Sequence, residues 1–479
     1  MKRLVIILLL LCAVEPALSQ AKWGGIARQI AMGGANAGSG LILNPFVWED
    51  PAYLLLNPAY QTMYKDYVWM NINGGLITGL TSSFNGYGHQ SAGLNVALND
   101  QVTVGAVLSY DPSAANTVGG LIAGTGGLGF NAPSVSILQR SPQTMPQIQN
   151  VWEALVSYDG NGIDLGFGFM YGNAKNESNV TQTFQTSTGS SNAEVSSRMF
   201  GFRAGGIFDL GSGNFVEGAF SFRTDKATDK FSTTTPTATT NGGEYSASGT
   251  ELQVNGRVKL KMSNRLSLIP YAGFATLSGE PKEDTKPTSA TAATTRSIKA
   301  SATLFSVGVG PEYRTPDVYL AAGVSFTTAK GKIEYNKTAV TTPTGTIPDT
   351  SITLTSTYTA IPVFNIGGEW WFTDWLAGRA GYYRSLGSNT TKSEGRANNG
   401  ASTFTSEVIT TAPTSNVLWN ALNEFAVDGL VTFGVGFRFG NFSLDATVSE
   451  EALRRGFGLI GAQDNINSFG YMNASYSFH

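Results

Sequence analysis

The sequence predicts an all-β chain that closes into a transmembrane antiparallel β-barrel of 14–16 strands, with a short N-terminal hatch or plug. Three observations support this prediction. Apolar and polar residues alternate along many short stretches, and only 14% of the 479 residues are charged. The connections between these stretches are alternately tight turns and long polar segments. Short turns at one end and long connections at the other are typical of barrels in the bacterial outer membrane.

The stretch Val427–Ser449 shows the alternation most clearly. Apolar side chains stand at every second position of Val431–Phe439, and again in Phe442–Val448 after a turn at Gly440-Asn441. Successive side chains of a strand point to opposite faces, so one face is apolar and the other polar. In a soluble sandwich the apolar face would be core, whereas in a membrane barrel it meets lipid. The sorting of connection lengths favours the barrel, with its polar face lining a wet lumen.

Residues 1–19 are expected to be a secretory signal peptide. Lys2 and Arg3 form a basic start, Leu4–Val14 is apolar, and Ala17-Leu18-Ser19 offers a cleavage site. Cys12 is the only cysteine, so no disulfide or thiolate chemistry is expected after cleavage. The alternative, a lipoprotein acylated at this cysteine, is disfavoured because a bulky leucine precedes it. No later stretch is long and apolar enough to span a membrane as a helix.

Residues 20–65 are expected to form the plug, and residues 66–479 the barrel. Ala21–Lys65 does not alternate, and its glycines and prolines interrupt any long element. Short helical turns are expected around Ile26–Met32 and Ala52–Leu56. The alternative is a loosely packed N-terminal arm. The candidate plug residues are Met32, Gly33, Gly34, Asn57, Pro58 and Ala59.

This segment resembles the N-terminal hatch of the FadL-type outer-membrane transporters, and it is similar to that of their PorV-like relatives in type IX secretion. The resemblance rests on Gln29–Ala35, the acidic pair Glu49-Asp50, and Leu56–Ala59 just before the first strand, while Gly40–Glu49 stands as an insertion. It implies capture of a hydrophobic molecule at the extracellular loops, passage past the hatch and lateral exit through a strand kink. Proline lacks the N–H that a ladder needs, so candidate kinks are Pro270, Pro311 and Pro362.

From Asp66 onward the chain repeats a unit of strand, tight turn, strand and long polar connection. Sixteen strands follow if Asp66–Gly79 and Phe84–Leu98 are separate strands, and fourteen, the number typical of the FadL-type family, if they are not. Tight turns are predicted at Asn99-Asp100, Asp159–Gly162, Gly211-Ser212, Ser263-Asn264, Thr315-Pro316, Thr373-Asp374 and Gly440-Asn441. Long connections are predicted at Asp111–Asn150, Asn173–Val195, Lys226–Ala247, Glu280–Lys299, Lys332–Thr355, Asn389–Ala426 and Glu450–Asn467. Most are polar segments that bury little. Asp111–Asn150 differs because it contains apolar, glycine-rich stretches, and it is interpreted either as a flexible loop or as an apolar entry site.

Charged residues on the polar faces of the strands are expected to point into the lumen. Both signs occur, and a lone buried charge is costly, so a network of ion pairs around the plug is expected. Guidance of a substrate is the alternative role for any one of them. The candidates are Arg203, Glu217, Arg223, Arg257, Lys259, Lys261, Glu369, Arg379, Arg438 and Asp445.

No catalytic site, metal site or cofactor is expected. The two histidines, His89 and His479, have no strand-borne serine partner for a Ser-His-acid triad. The acidic pairs lack three oxygen ligands at set spacing. The net charge of −3 gives no reason to expect nucleic acid as a partner.

The expected function is passive uptake of hydrophobic small molecules, fatty-acid-like or aromatic, by a monomer surrounded by outer-membrane lipid. One alternative is a PorV-like scaffold, in which loops such as Asn389–Ala426 hold secreted or surface proteins. The other is a general porin.

Overall fold

The computed structural model describes residues 24–36, 42–73, 90–110, 151–184, 187–234, 240–286, 296–337, 340–342, 345–347, 349–397, 402–410, 429–448 and 469–478. These residues form a closed antiparallel barrel preceded by a short non-barrel segment. The barrel strands are β3 (Tyr67–Asn73), β4 (Gln90–Ala97), β5 (Val102–Tyr110), β6 (Val151–Gly160), β7 (Ile163–Phe184), β8 (Ser187–Gly211), β9 (Asn214–Thr234), β10 (Thr240–Lys261), β11 (Leu266–Lys286), β12 (Arg296–Arg314), β13 (Val318–Lys337), β16 (Thr350–Thr373), β17 (Leu376–Ala397), β18 (Ser402–Thr410), β19 (Gly429–Phe439), β20 (Phe442–Val448) and β21 (Phe469–Ser477). Two small hairpins lie outside the barrel ladder, formed by β1 (Ala35–Asn36) with β2 (Ile42–Leu43) and by β14 (Val340–Thr342) with β15 (Gly345–Ile347).

The described barrel has sixteen strand positions. Strands β18 and β19 pair with successive stretches of β17, Asn389–Ala397 and Leu376–Arg384, so the two fill one position. The sequence left the choice between fourteen and sixteen strands open. The structure has sixteen, because β3 and β4 are two distinct strands that pair with each other. The barrel closes where β21 pairs with β3.

The two faces of the barrel wall differ as predicted. On β7, Leu165, Phe167 and Phe169 are exposed on the outside, whereas Gly166 and Gly168 face the lumen. Large aromatic side chains collect on the outside near the tight turns, as expected of an interfacial girdle. They include Tyr158, Trp370, Phe372, Trp375, Phe439 and Phe442. An apolar outer band, an aromatic girdle and a polar interior identify a bacterial outer-membrane β-barrel.

All seven predicted tight turns connect consecutive strands, and several use the backbone freedom that predicted them. Gly162 and Gly440 adopt positive φ angles of 80° and 57°. A residue with a Cβ is strained there, and glycine is not.

Many of the predicted long loops are wrong, because the chain continues as strand. β7 and β8 run to Phe184 and from Ser187, through most of the predicted loop Asn173–Val195. The same holds for much of Lys226–Ala247, Glu280–Lys299, Lys332–Thr355 and the first part of Asn389–Ala426. These stretches are rich in threonine, which favours strand even where the sequence does not alternate clearly. The predicted loops Asp111–Asn150 and Glu450–Asn467 lie outside the described residues.

Strand length varies widely around the barrel. β8 has 25 residues, whereas β20 has 7. At about 3.3 Å per residue, β8 is roughly 80 Å long, far more than a tilted strand of about 9–11 residues needs to cross a bilayer. β7 to β13, β16 and β17, each of 19 residues or more, are therefore longer than a crossing of the bilayer requires.

Candidate functional site in the plugged lumen

Residues Gly24–Asp66, called the plug here and described as 24–36 and 42–66, fill the lumen at its tight-turn end. The plug contains the helix α1 (Ile26–Ala31) and the 3-10 helix η1 (Pro51–Leu55), near the two predicted helical turns, and a further 3-10 helix η2 (Pro58–Thr62) that was not predicted. α1 lies against β17, β19, β20 and β21, and η2 against β5, β6, β7 and β8. Phe46, Trp48, Tyr53 and Tyr60 are fully buried. Within the described residues, no helix is long and apolar enough to cross a membrane.

Of the candidate plug residues, Met32 and Gly33 place backbone directly against the wall, whereas Gly34 contacts Gln29 and Asn44 within the plug. A Cβ at Gly367 would collide with the Met32 carbonyl, and one at Gly381 with the Gly33 amide. The Gly33 carbonyl accepts a hydrogen bond of 2.8 Å from Asn365. Gly33 itself has a φ of +72°, so the turn after α1 favours glycine.

The other three, Asn57, Pro58 and Ala59, start η2 on the opposite side of the lumen. The Asn57 side chain caps the helix by accepting the Ala59 N–H at 3.0 Å, and Pro58 occupies the first turn. Lumen-facing glycines again allow the plug to approach the wall closely. A Cβ at Gly205 would collide with Asn57, and one at Gly166 would collide with Pro58 and Ala59. Two segments of the plug therefore pack closely against glycines of the barrel wall, where a larger residue would not fit.

Arg257 of β10 binds the middle of the plug. Its guanidinium donates to the carbonyls of Pro45 at 3.0 Å, Val47 at 2.7 Å and Trp48 at 3.2 Å, and it lies 3.9 Å from the centre of the Tyr53 ring. Charge-assisted bonds of this kind are about twice as strong as neutral ones.

The same arginine pairs with Glu217 of β9. This carboxylate also accepts a bond of 2.5 Å from Tyr60, whose pKa is raised by burial so that the hydroxyl keeps its proton. Removing one partner of such a buried pair costs about 3–5 kcal/mol. The plug is therefore fastened to β9 and β10 by one buried network.

A second network holds α1. Arg28 donates to Asp50 at 2.9 Å and to Glu369 of β16 at 2.8 Å. Glu369 also accepts from Arg379 of β17 at 2.6 Å, and Arg379 lies 2.6 Å from Asp445 of β20. The side chains of all five residues are no more than 6% exposed.

The remaining charged residues that were predicted to face the lumen lie at different distances from the plug. Lys259 pairs with Glu312 at 2.9 Å near the plug, and Arg203 pairs with the buried Glu153 at 2.8 Å. Arg223 pairs with Glu251 higher in the lumen. Arg438 is half-buried two residues before the Gly440 turn, and Lys261 is exposed at the end of β10.

A cluster of buried apolar side chains lies on one side of the barrel above the plug, and we call it the apolar wall. It begins above Phe46, whose ring packs against Tyr271 at 5.6 Å. None of its side chains is charged. Its residues are Leu277, Ala300, Ala302, Leu304, Ala329, Ile333, Leu354, Tyr358, Ala360, Val363 and Tyr383.

Hydroxyl groups lie beside the apolar wall and within it, since the buried Ser356 stands between Leu354 and Tyr358 on one face of β16. The Tyr358 hydroxyl bonds to Ser385 at 2.5 Å, and Ser356 donates to Asn389 at 2.8 Å. These bonds satisfy the polar atoms inside the protein.

The wall ends at β10, where charges begin. Glu251 pairs with Leu277 across the β10–β11 ladder and holds Arg223. Asp225 lies 3.9 Å from the same arginine. Arg223 thus lies close to two carboxylates at this border.

The sequence did not predict the apolar wall or the partners Glu153 and Glu312. The stretch around Ala302 and Leu304 is apolar on both faces, since Phe305 and Val307 are exposed outside. A strand that is apolar on both faces indicates burial on both sides, and that signal was present.

Comparisons with known proteins add no argument about fold or function. No family model and no curated protein matches the chain. Among solved structures, the toluene transporter TodX of Pseudomonas putida matches 96% of this chain and 99% of its own, with 12% identity and a TM-score of 0.33. The ferric-catecholate import receptor Fiu of E. coli K12 in its open form matches 80% and 69%, with 9% identity and a TM-score of 0.33.

Proposed function

We propose that this barrel carries neutral hydrophobic small molecules passively across the outer membrane. The observation that carries the proposal is the apolar wall, a cluster of buried, uncharged side chains above the plug. Moving an aromatic ring of about 200 Å² from water to a place among such side chains gains roughly 5 kcal/mol before the costs of binding. Binding of this strength retains a molecule briefly and lets it leave, as passive transport requires.

The uncharged side chains of the apolar wall favour a neutral substrate over a fatty-acid carboxylate. A carboxylate among them would lose its water, and none of these side chains is a cation that could replace it. Of the two expected classes, fatty-acid-like and aromatic, the aromatic one is the better fit. The toluene named for TodX is a molecule of this class.

The plug argues against a general porin. Fully buried aromatic residues and two ionic networks occupy the tight-turn end of the lumen, where an open porin holds water. Hydrophilic solutes would need the plug to move.

The test is uptake by cells that lack the protein or express it from a plasmid. We expect saturable accumulation of radiolabelled toluene only in expressing cells, and much weaker accumulation of oleate. Equal toluene uptake with and without the protein would contradict the proposal. If surface proteins then co-purify with the barrel in stoichiometric amounts, the scaffold alternative takes its place.

A bulge in β16 is the best exit for the substrate into the membrane. Two residues of β16 separate Ala360 from Val363. Only one residue separates their partners in each neighbouring strand, Thr327 and Ser325 in β13, and Gly387 and Ser385 in β17. At the same height β17 changes its partner from β19 to β18. Of the three candidate prolines, Pro362 lies in this bulge.

The other two, Pro270 and Pro311, lie in the β11–β12 ladder, whose register does not shift. The sequence pattern could not separate them from Pro362, because all three lack the same N–H.

Deletion of Ile361 tests this exit. The deletion removes the extra residue and is expected to restore a regular ladder on both sides of β16. Toluene uptake should fall toward that of cells without the protein, while the barrel remains folded. Pro311→Ala, in the unshifted ladder, is the matched control and should transport normally. Full uptake by the deletion variant would place the exit elsewhere.

A further inference from the structure

The ionic network around α1 contains more negative than positive charge. Its cations are Arg28 and Arg379, and its anions are Asp50, Glu369 and Asp445. Two guanidiniums face three carboxylates, so the fully ionised cluster carries a charge of −1. An unbalanced buried charge is costly and is usually neutralised.

The surrounding groups do not supply the missing positive charge. Arg314 pairs with Glu49, and Lys259 pairs with Glu312, so these two pairs cancel. The other elements packed on α1 present neutral groups to it: Thr432 of β19 bonds to the Ala31 carbonyl, and Asn473 of β21 bonds to the Gly24 carbonyl. The Tyr319 ring lies 5.1 Å from the Arg28 guanidinium carbon.

One oxygen of the cluster has no partner. Glu369 accepts from both arginines, and Asp50 accepts from Arg28 and from the Ala52 N–H at 2.8 Å. Asp445 is 2% exposed, and only its Oδ1 lies near Arg379. Its Oδ2 is buried and, among the described residues, has no hydrogen-bond partner. An unpartnered carboxylate oxygen in a buried cluster of net charge −1 is a place for a proton.

We propose that this cluster is a proton-binding site, in which Asp50 and Asp445 hold one proton between them and thereby couple docking of the plug to proton uptake. With the proton bound, the cluster is neutral and α1 is held firmly. Without it, the docked plug retains one uncompensated negative charge. A released plug exposes Asp50 to water, where an aspartate at neutral pH binds no proton.

The pH range over which docking of the plug changes follows from the pKa of Asp50. Burial raises the pKa of Asp50 to about 6, although the neighbouring Arg28 acts in the opposite direction. In the released plug the value is near 3.9. The docked state therefore binds more protons between these values. Docking becomes firmer as the pH falls from about 6 toward 4, and this gain is lost as the pH rises through 6.

Infrared difference spectroscopy of the full protein in detergent micelles tests the proton directly. Between pH 7.5 and pH 5 the parent is expected to gain the C=O stretch of a buried protonated carboxyl. Asp445→Asn and Asp50→Asn each leave two guanidiniums with two carboxylates, so neither variant should show this band. If the band is missing in the parent, or persists in both variants, the proposal fails.

Thiol labelling tests the coupling to docking. Ala31→Cys places a probe on a residue of α1 that is fully buried against Gly434. At each pH the labelling rate of the parent is divided by that of Asp445→Asn, which cancels the pH dependence of the thiol itself. We expect a ratio near one at pH 5 and at least about tenfold at pH 7.5, since one pKa unit corresponds to a factor of ten.

Glu369→Gln is the control for the labelling experiment. It also leaves two guanidiniums with two carboxylates, but it replaces the charged acceptor shared by both arginines with a weaker neutral one, so labelling should be faster than in Asp445→Asn by a factor that does not change with pH. A parent ratio that stays constant from pH 5 to 7.5 would show that the plug does not respond to the proton, even if transport of toluene is confirmed.

Discussion

Gly367→Leu is expected to displace the plug and leave an open channel. At this lumen-facing position of β16 the added side chain would occupy the space of the Met32 carbonyl and Cα. These are backbone atoms, which cannot rotate away as a side chain would. Overpacking of side chains alone costs about 1–3 kcal/mol, and a backbone clash costs more. Conductance of the variant in planar bilayers should show large steps that the parent lacks.

Gly368→Leu is the matched control, one residue along the same strand. Its Cβ points outward and meets only the Leu320 side chain at 3.1 Å, which can shift. The barrel should fold and conduct like the parent. If both variants open, the leucine damages the strand in general, and the seat of the plug is not the cause.

Leu304→Glu is expected to lower toluene uptake by about tenfold or more. The change places a carboxylate in the middle of the apolar wall, between Ala275 and Ala329 in the neighbouring strands. A bound hydrocarbon would then strip water from a charge, and even a neutral polar group costs about 1–3 kcal/mol when desolvated without a partner. The concentration dependence of uptake should shift accordingly.

Two control variants distinguish loss of the apolar wall from a general effect of adding a negative charge to the barrel interior. Leu304→Met keeps the volume and the apolar character, and it should transport like the parent. Gln253→Glu adds the same charge to the lumen on β10, outside the apolar wall. Unchanged uptake by Leu304→Glu, or equal loss in Gln253→Glu, would show that the apolar wall is not the substrate surface.

The fold could be predicted from the sequence because the bilayer imposes a regular pattern. Each strand in the membrane must alternate, and each tight turn needs residues such as Gly440 that accept its backbone angles. The same reasoning placed Arg257, Glu217 and Glu369 on the lumen side, where the structure has them. Where the strands leave the bilayer this constraint ends, and the prediction of strand length failed with it.

The seat of the plug could have been predicted and was not. Gly166, Gly205, Gly367 and Gly381 all lie on the lumen side of strands, a few residues from a tight turn. Glycine weakens a strand interior and often marks a place where another backbone approaches. The partner of each glycine could not be found from the sequence, because the plug lies far from these strands in the chain.

The plug also has a consequence for assembly. The seam of the barrel joins β3 to β21, the first and last strands of the sheet, and both are short. Closing such a long loop of chain carries a large entropic cost. η2 binds strands near the beginning of the sheet and α1 binds strands near its end, including β21, where Asn473 bonds to Gly24. A plug docked before closure would bring the two edges of the seam together, so the segment that blocks the finished pore would also guide its completion.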